Sequence, residues 1–142
     1  MREMKAEREA GATALMPDQQ QSIVVVEDDA GMRKAIERLL RAGGFQCVSF
    51  ASAEALLQAD AADTAACLVL DVHLPGLSGF QLQRQLMASG RKSPVIFITA
   101  HDDAAARDEA QRIGSLAYFR KPFDGKALLE AIRQAGNLDP KR

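Results

Sequence analysis

The sequence predicts a doubly wound α/β domain, with five parallel strands in the order 2-1-3-4-5 and helices on both faces. Three observations predict it. Short apolar runs rich in β-branched residues alternate with amphipathic stretches of helical period through most of the 142 residues. The runs end in reactive polar residues: Glu27-Asp28-Asp29, Asp71, Thr99 and Lys121. The run Cys67 to Leu70 is bulky enough to be buried on both faces, and Pro75-Gly76 soon after Asp71 forbids its continuation. Asp71 is therefore expected at the carboxyl end of a central strand, where open α/β sheets place their ligand crevice.

Ile23-Val24-Val25-Val26 is the first strand. Met32, Ala35, Ile36, Leu39 and Leu40 then fall at the spacing of a helix core stripe, which Gly43-Gly44 closes. Gln46 to Phe50 is the second strand. Ser52 caps a helix with Ala53, Leu56 and Leu57 facing inward. The third strand ends at Asp71. Ser78-Gly79-Phe80 opens a helix with Phe80, Leu82, Leu86 and Met87 as its apolar residues. Pro94 to Ile98 is the fourth strand and runs into Thr99. Asp102-Asp103 opens a fourth helix, where carboxylates suit the free N–H groups. That helix is alanine-rich, with Ile113 its one large aliphatic residue, so it is expected to pack weakly and to move. Leu116 to Arg120 is the fifth strand, and Asp124 caps a last helix carrying Ala127, Leu128, Ala131 and Ile132. Residues 1–21 are mostly polar, have no apolar stripe and read as a disordered tail, with Met16 an alternative start. One domain over residues 22–137 and a short tail over 138–142 complete the expected organisation.

A formal charge of −1 gives no footprint for non-specific nucleic-acid binding. No apolar run approaches the length of a bilayer span, and the N-terminus has no secretory apolar region. The expected location is the cytoplasm. Cys47 and Cys67 match no zinc spacing, and the predicted strand order leaves one strand between theirs, too far for a disulfide.

In the order 2-1-3-4-5, Glu27 and Asp28 sit one strand spacing of about 4.8 Å from Asp71. Thr99 follows on the next strand and Lys121 on the one after. Each alone has a structural explanation: a helix cap for the acidic run, β-propensity for Thr99, a surface lysine for Lys121, core packing for Tyr118. Together, at one edge, they point to a site. Three close carboxylates repel and raise one another's pKa unless a cation joins them. Oxygen-only ligands with room for water suit Mg²⁺. A metal beside a carboxylate, with an ammonium and a hydroxyl opposite, suits phosphoryl transfer to Asp71 as an in-line nucleophile, giving an aspartyl phosphate.

Val26-Glu27-Asp28-Asp29, Leu70-Asp71-Val72-His73-Leu74-Pro75-Gly76-Leu77-Ser78-Gly79, Ile98-Thr99-Ala100 and Lys121-Pro122-Phe123 resemble the receiver domain of two-component response regulators, the CheY-like family with a flavodoxin-like fold. That family is itself a standard example of the 2-1-3-4-5 order. The similarity runs from about Ile23 to Gly136, and His73 to Phe80 is similar to receivers that precede helix-turn-helix transcription domains. The resemblance implies Asp71 as phosphoacceptor. It implies Glu27, Asp28, Asp71 and the His73 backbone carbonyl as Mg²⁺ ligands. It implies Thr99 and Lys121 as the pair that contacts the phosphoryl group, Tyr118 as an aromatic switch and a cis peptide between Lys121 and Pro122. It implies that the side chains of His73 and His101 flank the path of the hydrolytic water and modulate dephosphorylation. Glu27 departs from the commoner Asp, and its extra methylene carries the carboxylate further into the site.

The function so implied is phosphorelay signalling. A histidine kinase or phosphotransfer protein donates to Asp71, and the domain catalyses its own Mg²⁺-dependent phosphorylation and dephosphorylation. It then switches its helix 4–strand 5–helix 5 surface for an output protein or a homodimer. It binds no nucleic acid itself and no membrane. Two rivals are weaker. A phosphohydrolase with an aspartyl nucleophile wants a carboxylate two residues on, where His73 stands. A flavin carrier wants a phosphate-binding loop where Glu27-Asp28-Asp29 would repel the phosphate.

Overall fold

Apolar residues dominate the strands, and every second residue turns to the same face, so a strand buried on both sides feeds two cores at once. In the computed structural model, which describes residues 22–137, five such strands form one sheet: β1 (Ser22–Val26), β2 (Cys47–Phe50), β3 (Ala65–Asp71), β4 (Val95–Thr99) and β5 (Ala117–Arg120). All neighbours pair in parallel, in the spatial order β2-β1-β3-β4-β5. This is the expected 2-1-3-4-5 topology. The tails expected at 1–21 and 138–142 lie outside the described residues.

Five helices cover the sheet: α1 (Ala30–Ala42), α2 (Ala53–Ala59), α3 (Gly79–Ala88), α4 (Ala104–Ile113) and α5 (Gly125–Asn137). Val24, Val26, Leu68, Leu70 and Phe97 pack on one face against Leu56 of α2, Leu82 and Leu86 of α3 and Ala110 of α4. Ile23, Val25, Val69, Ile96 and Ile98 pack on the other against Ile36 and Leu40 of α1 and Leu128 and Ile132 of α5.

The expected caps are in place. Asp29, Ser52 and Asp103 accept from the backbone N–H of Met32, Ala55 and Ala106, and Asp124 accepts from that of Lys126. Ser78 and Gln81 form a reciprocal capping box at the start of α3. Cys47 and Cys67 both lie opposite Ile23 of β1, so one strand does separate them, and both are free and buried. Burial pushes the Cys67 thiol up to about 12.

Angular position decides burial on two helices, and on α1 it departs from the expected stripe. On α3 the buried residues are Gly79, Leu82, Gln83 and Leu86, while Met87 is 46% exposed. The spacing 79, 82, 83, 86 is a true helical stripe, so geometry overrides the polarity of Gln83 and the apolarity of Met87. On α1, Ile36 and Leu40 are buried but Ala35 is exposed, at the margin of its stripe. The expected thinness of α4 holds. It buries only Ala106 and Ala110, and Glu109 adds ion pairs to Arg84 of α3 and to Arg112.

Gly79 is the closest joint between helix and site strand. A Cβ built on it would lie 2.3 Å from the backbone oxygen of Asp71. Gly→Ala in a helix ordinarily stabilises by about 0.4–1 kcal/mol. Here the clash is with backbone, so Gly79→Ala is expected to destabilise by about 2 kcal/mol or more. Urea denaturation checks this, and a variant as stable as wild type would show that α3 can move away from Asp71.

Candidate functional site

The strand register assembles the site. Val26 is level with Leu70, Asp71 with Ile98, and Thr99 with Arg120. Glu27, one residue past Val26, therefore stands beside Asp71, and Lys121 emerges just beyond Thr99, whose carbonyl accepts the Lys121 N–H at 2.7 Å. The peptide between Lys121 and Pro122 is cis, as expected.

Lys121 reaches back across the sheet. Its Nζ donates to Glu27 Oε1 at 2.7 Å and to Asp71 Oδ2 at 3.1 Å. Glu27 is fully buried and Asp71 nearly so. Their remaining oxygens are also used: Asp29 N–H donates to Glu27 Oε2 at 3.0 Å, and His73 N–H donates to Asp71 Oδ1 at 3.0 Å. Burial pushes the Glu27 carboxyl above the usual carboxylate range, and nearby Asp71 adds to the rise; the Lys121 ammonium and the Asp29 N–H pull against it without cancelling it. Burial also opposes the charge on Lys121, but its bonds to Glu27 and Asp71 outweigh that and raise its pKa, so it stays an ammonium.

Glu27, Asp28 and Asp71 each offer an oxygen, and these oxygens lie within 4.8 Å of one another. One Mg²⁺ shell at 2.0–2.1 Å spans about 4.2 Å between opposed oxygens. Three carboxylates against one ammonium leave two negative charges in excess. Donor type and charge fit a hard divalent cation, and these three residues could hold it after a small inward shift of their oxygens.

Thr99 is fully buried, and its hydroxyl faces a second group of partners. Its Oγ1 lies 3.1 Å from His73 Nδ1, accepts the His101 N–H at 3.0 Å and stands 3.2 Å from the His101 carbonyl. The His73 and His101 rings meet edge-on, with centroids 5.1 Å apart. Tyr118 is placed elsewhere. It is half-buried, and its hydroxyl donates to Asp102 Oδ1 at 3.1 Å rather than meeting Thr99.

Sequence reasoning missed three supports. Arg33 Nη1 donates to the Glu27 carbonyl at 2.8 Å and pins the acidic loop to α1. Glu54 accepts the Leu77 N–H at 2.9 Å, which fastens the loop after Asp71 to α2 and holds the Glu54 carboxyl below its usual range. Asp102 ties Tyr118 to Arg107 on α4, 2.7 Å away. The available signals were Arg33 four residues after the Asp29 cap and an acidic residue beside that cap's counterpart at α4. Nothing in the sequence paired Glu54 with Leu77.

The family model of the response regulator receiver domain matches residues 23–133. The chain belongs to this family. The receiver is 42% identical over 120 residues to nodulation protein W of Bradyrhizobium diazoefficiens, covering 84% of this chain and 53% of that protein. It is 38% identical over 127 residues to the response regulator protein TmoT of Ectopseudomonas mendocina, covering 89% and 58%. The chain thus spans about half the length of the curated relatives it matches. Among solved structures, the crystal structure of FixJ-N is 33% identical with a TM-score of 0.75, covering 83% of this chain and 94% of that one. A response regulator receiver protein from Burkholderia phymatum is 40% identical with a TM-score of 0.70, covering 81% and 94%. Receivers of this family serve two-component phosphorelay signalling. Among the described residues, no helix is long and apolar enough to cross a membrane.

Tyr118 gives this receiver an optical handle, since it is the one tyrosine and there is no tryptophan. Burial, then its bond to Asp102, pushes the phenol up to about 12. The tyrosinate absorbance is expected to rise near that pH, not near 10, and Asp102→Asn is expected to lower the midpoint. A raised folded pKa contributes stability below the unfolded value of about 10, and that contribution is lost as pH rises through the folded value. A midpoint at about 10 would mean that the hydroxyl is solvated.

Proposed function

We propose that this receiver accepts a phosphoryl group on Asp71 from a histidine kinase or phosphotransfer protein. The observation that carries the proposal is the Lys121 ammonium held between the Glu27 and Asp71 carboxylates at the strand ends. It lies against the atom that would react, where it can neutralise charge on an incoming phosphoryl group.

An Asp71 oxygen attacks phosphorus, the O–P bond forms, and the N–P bond to the donor imidazole breaks. The leaving nitrogen keeps the electron pair and takes up a proton. Lys121 and the His73 N–H orient the Asp71 carboxylate before attack. Glu27, Asp28, Asp71 and the His73 carbonyl would hold Mg²⁺, which when bound supplies positive charge to the phosphoryl oxygens. Thr99 turns its hydroxyl to the phosphoryl group. In dephosphorylation water attacks phosphorus, and the Asp71 carboxylate is the leaving group. The side chains of His73 and His101, exposed beside Asp71 and in mutual contact, flank that water and set its access.

The phosphoryl group adds about −1.5 to −2 charges, and a near-complete shift between two states needs about 5.5 kcal/mol of differential stabilisation. The thin α4 and Tyr118 carry the change to the α4–β5–α5 surface, which meets an output protein or a second copy. Residues 22–137 are the receiver unit, at work in the cytoplasm.

Incubation with a small-molecule phosphodonor and Mg²⁺ is expected to add the mass of one phosphoryl group to wild type and none to Asp71→Asn. Asp28→Ala should lose the Mg²⁺-dependent labelling while Glu27→Asp keeps it. Labelling of Asp71→Asn would remove the central claim, and normal labelling of Asp28→Ala would remove the metal site. For the two histidines, alanine at both positions is expected to change the decay rate of the phosphorylated form without preventing its formation. Superimposable decay curves would leave them no role in hydrolysis.

A further inference from the structure

We propose that His73 is a positioning residue whose ring latches Thr99 in the unphosphorylated protein, so that the latch must open before Thr99 can serve a phosphoryl group on Asp71. The inference rests on the phosphoacceptor reading of Asp71 and deepens it.

A threonine hydroxyl has one proton to give and two lone pairs. The His101 N–H occupies one lone pair of Thr99 at 3.0 Å. If His73 Nδ1 is unprotonated, it receives the Thr99 proton across 3.1 Å. If Nδ1 carries a proton, it fills the second lone pair, and the Thr99 proton goes to the His101 carbonyl at 3.2 Å. In either tautomer the one proton that a phosphoryl oxygen would need is already committed.

The two sets of partners differ in consequence. The bonds to His101 are local, reaching only two residues on into the loop that Thr99 leads into. The bond to His73 ties the end of β4 to the loop after β3, a sequence separation of 26 residues. His73 is exposed, so burial does not fix its ring; Thr99 and the edge contact with His101 do. The same residue orients Asp71 through its backbone N–H at 3.0 Å. His73 therefore touches both the acceptor and the hydroxyl that follows it.

The test compares wild type, His73→Leu and His73→Asn at one fixed pH. Leucine keeps bulk and removes the bond. Asparagine places an amide oxygen or nitrogen close to where Nδ1 stands and can restore it. The probe is beryllium fluoride with Mg²⁺ as a phosphoryl analogue, with affinity read by calorimetry, so that hydrolysis plays no part. Loss of the latch is expected to tighten binding roughly five-fold in His73→Leu, the change that one net hydrogen bond of about 1 kcal/mol gives. His73→Asn is expected to bind like wild type, and the Thr99 methyl resonance of the unliganded protein to move in the leucine variant only. Equal affinity in all three proteins, or asparagine behaving as leucine, overturns the latch alone. A wild type that does not bind the analogue overturns the phosphoacceptor reading and the latch with it.

Discussion

A fully buried carboxylate is tolerable only when its oxygens find partners, and Glu27 finds them in the Lys121 ammonium and the Asp29 N–H. Much of the site depends on that arrangement. The ammonium comes from just beyond β5, passes β4 and meets carboxylates set by β3 and β1, so it ties three of the five strands at one end. Without it, Glu27, Asp28 and Asp71 would repel one another at close range. The extra methylene of Glu27 also acquires a purpose: it carries the carboxylate to the lysine while the other oxygen still reaches the backbone of its own loop. The same pairs that keep the strand ends together are the pairs that fix the Asp71 carboxylate.

The loops between strand and helix are held from outside the site. Arg33 grips the backbone of the acidic loop, Glu54 grips the loop after β3, and Gly79 lets α3 close directly onto the Asp71 carbonyl. These contacts restrict the backbone around Asp71 and leave its carboxylate defined by two hydrogen bonds. The fourth helix has no comparable anchoring in the core, and its N-terminal loop is tied to Tyr118 through Asp102. Rigidity on one side of Asp71 and slackness on the other is an arrangement that can convert a local charge into movement of one helix.

Sequence legibility followed periodicity. Strand order, the caps at Asp29, Ser52, Asp103 and Asp124, and the meeting of Glu27, Asp28, Asp71 and Lys121 all come from where apolar runs stop, and parallel register then brings those stops together. What was illegible depends on loop conformation. Glu54 with Leu77, Asp102 with Tyr118 and His73 with Thr99 are joined by turns that no repeat encodes. On α3 angular position decides burial, so Gln83 is buried and Met87 exposed whatever their polarity.

The burial of Cys67 has a separate consequence. It stands at the centre of β3, on the strand that ends in Asp71, with no exposed surface and a thiol pushed up to about 12. A thiolate is the reactive form, so this sulfur is inert while the strand is paired on both sides. Alkylation at Cys67 must wait for the central strand to open, and its rate is then a clock for that opening. Anything that binds the folded protein at the far end of the same strand lowers the open population by mass action and slows the clock. The protein thus carries, four residues from its acidic crevice, a built-in chemical recorder of whether that crevice is filled.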